Sequence, residues 1–225
     1  MQDLFSQKWQ KFLSRIWPFR LIPFIDFVMA AGSLATGQIH ENSDFDVIVG
    51  VKKGRIFSAR FFCVLFFGIL GWRRGKDGIA KSASDKFCFN HFVAPSAYRL
   101  SPSHNDYWRG LYFSLAPVYG EKVLIQKFFD DNSDWMGERK VYVEDKRYIY
   151  KKRGFIKLVL EGWLSGKLGD RLEKKFKDMQ TRRIKKGLES EMGYMPRIIF
   201  NDNELEFHPD TRRIEDIVER INKNK

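Results

Sequence analysis

Ala31-Gly32-Ser33 and, after ten intervening residues, Asp44-Phe45-Asp46-Val47 decide how this sequence is interpreted. An apolar run over residues 24–31 precedes the glycine and predicts a buried strand that Gly32 ends. A second strand is expected over residues 44–51, where Val47, Ile48 and Val49 follow the two acids. The stretch therefore predicts two neighbouring strands with a glycine turn at the end of the first and carboxylates at the start of the second.

These residue types suit the binding of a metal ion and of phosphate. Gly32 has no side chain, so other groups can approach its backbone closely. Ser33 offers a hydroxyl, and the residues after it are expected to begin a helix, whose free N–H groups attract phosphate oxygens. Asp44 and Asp46 are two apart on a strand and leave the same face. Because two adjacent carboxylates repel each other, they favour a shared cation, and Mg²⁺ is the usual hard cation beside substrate phosphates.

The pattern resembles the DNA polymerase β-like nucleotidyltransferase superfamily. Its signature is a hydrophobic residue, Gly-Gly or Gly-Ser, roughly ten residues, and then Asp-hydrophobic-Asp/Glu-hydrophobic; the preceding Asn42-Ser43 is also typical of small prokaryotic members. The resemblance covers about residues 20–95. It implies a nucleoside triphosphate (NTP), two divalent ions (Mg²⁺ or Mn²⁺) with Asp44 and Asp46 as their ligands, phosphates on Gly32 and Ser33, and transfer of a nucleotidyl group to a hydroxyl acceptor.

The chain departs from the family at the third carboxylate that many members carry on a later strand. The strand expected over residues 86–93 contains no Asp or Glu. Asn90 stands on its polar side, at about the place of that carboxylate, and is taken as the tentative third catalytic position. Asp85, just before the strand, is the substitute. An Asn can ligate a metal through its carbonyl oxygen, but it brings no charge and is no base.

The fold class predicted is α+β: a nucleotidyltransferase fold, with a mixed twisted sheet flanked by helices, and a mainly helical C-terminal region. Three regions are expected, namely an amphipathic helix over 1–17, the nucleotidyltransferase domain over 18–130 and a basic, mainly helical region over 131–225. Further elements are predicted from apolar periodicity and turn residues: a helix over 57–72 buried on most sides, a helix over 108–119 broken at Pro117, a short helix or strand over 123–129, a hairpin over 197–207 and a helix over 211–222.

Charge narrows the class of partner without selecting one. The net charge is +12 and the pI about 9.7, which favours an NTP, RNA or an anionic membrane surface. The longest apolar run, residues 61–72, is shorter than the roughly 20 residues that cross a bilayer. No transmembrane segment and no secretory signal are expected, and Cys63 and Cys88 suit buried, reduced thiols in a cytoplasmic protein.

Two other functions stay open beside the enzyme. One is a degenerate nucleotidyltransferase domain that binds nucleotide or metal without turnover, which the missing third carboxylate favours. The other is a basic protein that binds nucleic acid or a membrane surface. Among the remaining polar residues, His40 is interpreted as part of a surface loop, His91 as a core histidine that shares its side of the strand with Phe87 and Phe89, and 206–210 as a turn.

Overall fold

The computed structural model describes residues 3–75, 83–101, 106–137, 154–188 and 197–208. Within these ranges the chain forms helices and strands in the following order: α1 (Leu4–Ser14), β1 (Ile25–Ala30), α2 (Gly32–Thr36), β2 (Phe45–Val51), α3 (Ile56–Ile69), β3 (Phe87–Val93), α4 (Asp106–Phe113), β4 (Ala116–Gly120), α5 (Lys122–Asp130), α6 (Ser133–Met136), α7 (Phe155–Trp163), α8 (Lys167–Leu188), β5 (Arg197–Phe200) and β6 (Glu204–His208).

The strands form one mixed sheet in the order β4-β1-β2-β3-β6-β5. The β2–β3 pair is parallel and the other pairs are antiparallel. β1 is buried at all six positions, and β2 is buried at every position except Asp46. Continuous burial requires cover on both faces, which explains why these strands are apolar runs without alternation. The predicted α+β class is confirmed.

Each face of the sheet carries its own apolar core. On one face, Trp9 and Phe12 of α1 pack with Val47 and Val49 of β2 and with Phe67 of α3. On the other face, the strand side chains that point away from the first core pack against helices α4, α5 and α6. This second core includes Ile48, Trp108, Tyr112, Phe128 and Met136. The predicted amphipathic helix at the N-terminus is α1, and its apolar side docks on the sheet through the buried Trp9 and Phe12.

A bulge in β3 changes which of its side chains face which core. Asp46 pairs with Cys88, but Ile48 pairs with His91, so β3 carries one extra residue opposite this part of β2. Phe92 therefore lies in the core with Phe87 and Phe89. The prediction placed His91 with these phenylalanines and Phe92 opposite them, and it was wrong because it assumed strict alternation through the strand.

Three other predictions are corrected. The segment predicted as a broken helix over 108–119 is α4 followed by β4, in which Pro117 occupies a strand at the edge of the sheet. The helix predicted over 57–72 is buried on one side, through Cys63 and Phe67, whereas Leu65 and Ile69 are exposed. The predicted hairpin is confirmed as β5–β6, but β6 joins β3, so this hairpin extends the same sheet.

The region after residue 130 is thus attached to the first region at several places. Phe176 of α8 stacks on Phe61 of α3 with ring centroids 4.1 Å apart. The helix predicted over 211–222 lies outside the described residues. Among the described helices, none combines the length and apolar character that crossing a bilayer requires.

Candidate functional site

Gly32 brings the end of β1 into direct contact with the acidic start of β2. Its φ is +61°, and a Cβ added there would lie 2.2 Å from Oδ2 of Asp46. Both the backbone angle and the space therefore require glycine at this position. The backbone N–H of Ala31 donates to the carbonyl oxygen of Asp46 at 2.9 Å, which fixes the two strands in this register. The pattern that suggested a close approach at Gly32 corresponds to a contact with the carboxylate itself.

Asp44 and Asp46 lie together on the face of the sheet that carries the second core. Loss of hydration, and then the neighbouring charge of Asp44, raise the pKa of Asp46 to about 7. Asp44 forms an ion pair with Arg74, whose Nη1 lies 2.6 Å from Oδ2 of Asp44. Among the described residues one guanidinium thus faces two carboxylates, and with a pKa of about 7 Asp46 is protonated in about half of the molecules near neutral pH.

Asn90 and Cys88 complete the polar group around Asp46. The Nδ2 of Asn90 is 3.4 Å from Oδ1 of Asp46, so the asparagine stands where the strand pattern placed it. Burial raises the pKa of the Cys88 thiol well above its usual value, and the charge of Asp46 adds to this. One ligand atom from each of Asp44, Asp46 and Cys88 can be chosen such that all lie within 4.8 Å of one another.

The donor set fits a hard divalent cation held by oxygen. Mg²⁺ and Mn²⁺ bind carboxylate and amide oxygens, which Asp44, Asp46 and Asn90 supply, whereas a protonated thiol is a poor ligand for them. Asp85 does not add a third carboxylate. Its side chain forms ion pairs of 2.7 and 2.5 Å with Lys8 and Lys11 of α1, and it is occupied there.

A cleft of about 740 Å³ opens beside these carboxylates, between the sheet and α4. Gly32, Ser33, Asp44, Asp46 and Asn90 all border it. The opposite wall comes from α4 and includes Tyr107, Trp108, Leu111 and Tyr112. The cleft is thus acidic on one side and aromatic on the other, and it is large enough for a small organic molecule.

Ser33 and His40 both line this cleft. Ser33 belongs to α2, which has only five residues, so its dipole contributes little and the local backbone and hydroxyl groups matter more. His40 is exposed, as expected for a loop residue, but it stands at the rim of the cleft. Because His40 lies between Ser33 and Asp44 in the sequence, a substrate contact was the alternative to a surface loop, and its place at the rim is compatible with both.

Sequence reasoning missed a buried polar cluster behind the cleft. The Nε2 of His91 lies 3.2 Å from Oε1 of Glu204, and its Nδ1 lies 3.4 Å from the Tyr112 hydroxyl. Glu206, which was interpreted as part of a turn, belongs to β6 and is fully buried, with Arg197 donating to its carboxylate at 2.9 Å. The signal for this cluster was the spacing of Glu204 and Glu206, because residues two apart in a strand point to the same face.

Comparison with known proteins adds no relative for this site. No protein-family model matches the chain, and no curated protein matches it.

Proposed function

We propose that this chain is a divalent-metal-dependent nucleotidyltransferase, which moves a nucleotidyl group from an NTP to a hydroxyl acceptor. The observation that carries the proposal is the contact between Gly32 and the carboxylate of Asp46 at the mouth of a cleft, with Asp44 beside it. A glycine turn beside two acids is the arrangement that the resemblance to the polymerase β-like superfamily implies. The acceptor can be a small molecule, a protein side chain or an RNA end.

Five residues of the cleft have a role in this proposal. Asp44 and Asp46 hold Mg²⁺ or Mn²⁺, which supplies the charge that neutralises the triphosphate and favours in-line attack at its α-phosphorus. The Gly32–Ser33 backbone and the Ser33 hydroxyl receive phosphate oxygens. Tyr107 provides an aromatic surface against which a nucleobase can stack. The acceptor oxygen bonds to the α-phosphorus, the bond to the bridging oxygen breaks, pyrophosphate leaves, and solvent takes the acceptor proton.

Arg74 has a specific place in the nucleotide-bound state. Its side chain is 46% exposed, so solvent leaves room for it to turn away from Asp44. A triphosphate brings anionic oxygens that a guanidinium binds well. We propose that Arg74 neutralises Asp44 before the nucleotide binds, and that it contacts the phosphates afterwards.

The test measures metal and nucleotide binding separately from turnover. Mn²⁺ and a non-hydrolysable NTP are titrated by calorimetry into the parent and into Asp44→Asn/Asp46→Asn, with Asp178→Asn as the control. Asp178 is an exposed acid on α8, so its loss removes the same kind of charge far from the cleft. We expect the double variant to lose Mn²⁺ binding and the control to keep it. Equal affinities in all three proteins would overturn the metal assignment.

Turnover is tested with radiolabelled NTPs and Mg²⁺ or Mn²⁺, against the protein itself, bulk RNA and small hydroxyl compounds. A labelled product that depends on Asp44 and Asp46 supports the enzyme. Metal-dependent NTP binding without product from any acceptor favours the second candidate function.

That second candidate is a degenerate domain that binds nucleotide without turnover, and Asn90 is the observation that favours it. Among the described residues that line the cleft, Asp44 and Asp46 are the only acids. A neutral amide oxygen at position 90 holds a second metal ion more weakly than a carboxylate would. Asn90→Asp is therefore expected to add a second Mn²⁺ and to raise turnover. If neither the stoichiometry nor the rate changes, Asn90 does not act as the third ligand.

A further inference from the structure

Helix α7 buries its charged side chains and exposes apolar ones. Its two charged side chains, Lys157 and Glu161, are only 1% and 5% exposed, whereas its large apolar side chains face solvent. Phe155 is 80% exposed and Trp163 is 77% exposed. The outer face of α7 is formed by these two residues together with Ile156, Leu158 and Val159.

The inward charges fix this orientation. Glu161 accepts from the backbone N–H of Phe24 at 2.7 Å and from Nζ of Lys52 at 2.8 Å. Nζ of Lys157 donates to the carbonyl oxygen of Ile25 and lies over the Tyr119 ring. Rotation of the helix to hide its apolar residues would break all of these contacts and expel the buried charges. The contacts of Lys157 and Glu161 therefore hold the apolar face of α7 outward.

Exposed cations follow the outer face of α7 along the chain: Lys167 and Arg171 stand in the first turns of α8. The aromatic residues Phe155 and Trp163 stand at the two ends of the apolar stripe. An apolar stripe with a terminal tryptophan and flanking basic residues matches the layered chemistry of a lipid surface, where anionic headgroups cover acyl chains.

We propose that the outer face of α7 docks the protein onto an anionic phospholipid surface. The nine-residue helix lies in the plane of the membrane, and its apolar side chains enter the boundary between headgroups and acyl chains. Lys167 and Arg171 contact lipid phosphates and carboxylates. This surface is independent of the cleft and of any nucleotidyl transfer.

A second copy of the chain fits this face less well. Five side chains on a nine-residue helix offer roughly 500 Å², which is less than the about 800 Å² that each partner contributes to a stable interface. Two copies would also bring together two chains that each carry a net charge of +12. Charge complementarity therefore selects an anionic partner.

The experiment is co-sedimentation with vesicles, using matched surface variants. Vesicles of phosphatidylcholine alone are compared with vesicles that also contain phosphatidylserine. Phe155→Ser/Trp163→Ser removes the two ends of the outer face, and Ile69→Ser/Val123→Ser is the control. Ile69 and Val123 are 77% and 78% exposed, so the control removes two equally exposed apolar side chains from other helices.

We expect the parent and the control to bind the phosphatidylserine vesicles, and to lose this binding as salt is raised. The Phe155→Ser/Trp163→Ser protein is expected to bind about tenfold more weakly or worse, because two aromatic side chains no longer enter the lipid. No parent binding, or equal binding by all three proteins, would overturn the proposal. So would a stable dimer in analytical ultracentrifugation that only the α7 variant dissociates.

A second readout does not depend on a destabilised variant. Addition of the anionic vesicles should shift the tryptophan emission of the parent to shorter wavelength, as Trp163 enters an apolar environment. Trp163→Phe keeps an aromatic side chain at the same place, so it should still sediment with the vesicles but lose most of the shift. An unchanged shift in Trp163→Phe would show that another tryptophan enters the lipid and that α7 does not.

Discussion

Two groups of carboxylates in this protein are neutralised to different extents. Glu161 of α7 has a lysine at 2.8 Å, a second lysine at 3.9 Å and a backbone N–H. Among the described residues, Asp44 and Asp46 share one guanidinium, that of Arg74, and Asp46 has a raised pKa of about 7. The first group is complete without a ligand and acts in the fold. The second group has more negative than positive charge among its described partners, and a bound cation would neutralise the excess.

The two groups also differ in the kind of surface that lies beside them. The satisfied charges of α7 hold the helix in place and leave an apolar face outside. The unsatisfied acids stand at the mouth of a cleft that contains a polar and an aromatic wall. A buried charge with a full set of partners is thus evidence for structure, and one without them is evidence for a ligand. The following changes test this distinction, beginning with the largest expected effect.

Glu161→Gln should be the most destabilising of these changes. The amide keeps the size of the side chain, but it leaves Lys157 buried without its anion. We expect the free energy of unfolding to fall by about 3–5 kcal/mol, measured by urea denaturation. Lys157→Met/Glu161→Gln should recover part of the loss, since the buried charge is gone. A double variant less stable than Glu161→Gln alone would show that Lys157 acts mainly through Ile25 and Tyr119.

Gly32→Ala should come next, because it disturbs the less neutralised pair. The new Cβ would meet the Asp46 carboxylate, and the positive φ adds strain. We expect a loss of about 2–4 kcal/mol together with weaker Mn²⁺ binding. Gly68→Ala is the control, since a Cβ there has open space within α3; a helical alanine should leave stability equal or slightly higher. Equal effects of the two changes would remove the argument for close contact at Gly32.

The local part of this site could be predicted from the sequence. β1, the turn at Gly32 and β2 follow from short apolar runs and from the glycine, because neighbouring residues determine them. The position of Asn90 beside Asp46 follows from strand order and parity. These parts were predictable because they depend on patterns within a few residues or on two strands that are adjacent in the sheet.

The remaining parts depend on contacts between distant residues. The bulge that turns His91 toward Tyr112 depends on the pairing of β3 with β2, which alternation within β3 cannot reveal. Glu204 reaches His91 only because β6 joins the far side of β3. The same limit applies to α7, whose periodicity predicts an apolar stripe but not that the stripe faces outward. Lys157 and Glu161 decide that orientation through partners more than 100 residues away.

The pH dependence of stability should distinguish Asp46 from an ordinary surface acid. Its pKa is about 7 in the folded chain against a usual 3.8, so between these values the folded state binds more protons than the unfolded state. This contribution to the free energy of unfolding therefore falls as pH rises from about 4 to 7 and is constant above. Asp46→Asn lacks it, and should gain on the order of 1–3 kcal/mol relative to the parent across that window.

Denaturation at several pH values, with Asp178→Asn for comparison, measures this gain. Asp178→Asn should follow the parent at every pH. Saturating Mn²⁺ should restore the parent above pH 7, because a cation then replaces the proton. A gain for Asp46→Asn that is the same at pH 4 and pH 8 would contradict the assignment of the shifted group.

Arg74→Ala should have the smallest effect and the most specific one. Arg74 supplies the cation that Asp44 has in the absence of a ligand, so it competes with a metal ion for the same carboxylate. Its removal should tighten Mn²⁺ binding about two- to fivefold without nucleotide, as expected for a half-exposed ion pair. With a non-hydrolysable NTP present, the same change should weaken nucleotide binding, because the guanidinium no longer contacts the phosphates.

Arg99→Ala is the matched control, since Arg99 is 48% exposed and pairs with Asp134 on the surface. Titration calorimetry of both variants decides the outcome: if Arg74→Ala and Arg99→Ala bind Mn²⁺ equally, Asp44 is not a ligand, and the comparison between the two carboxylate groups loses its functional meaning.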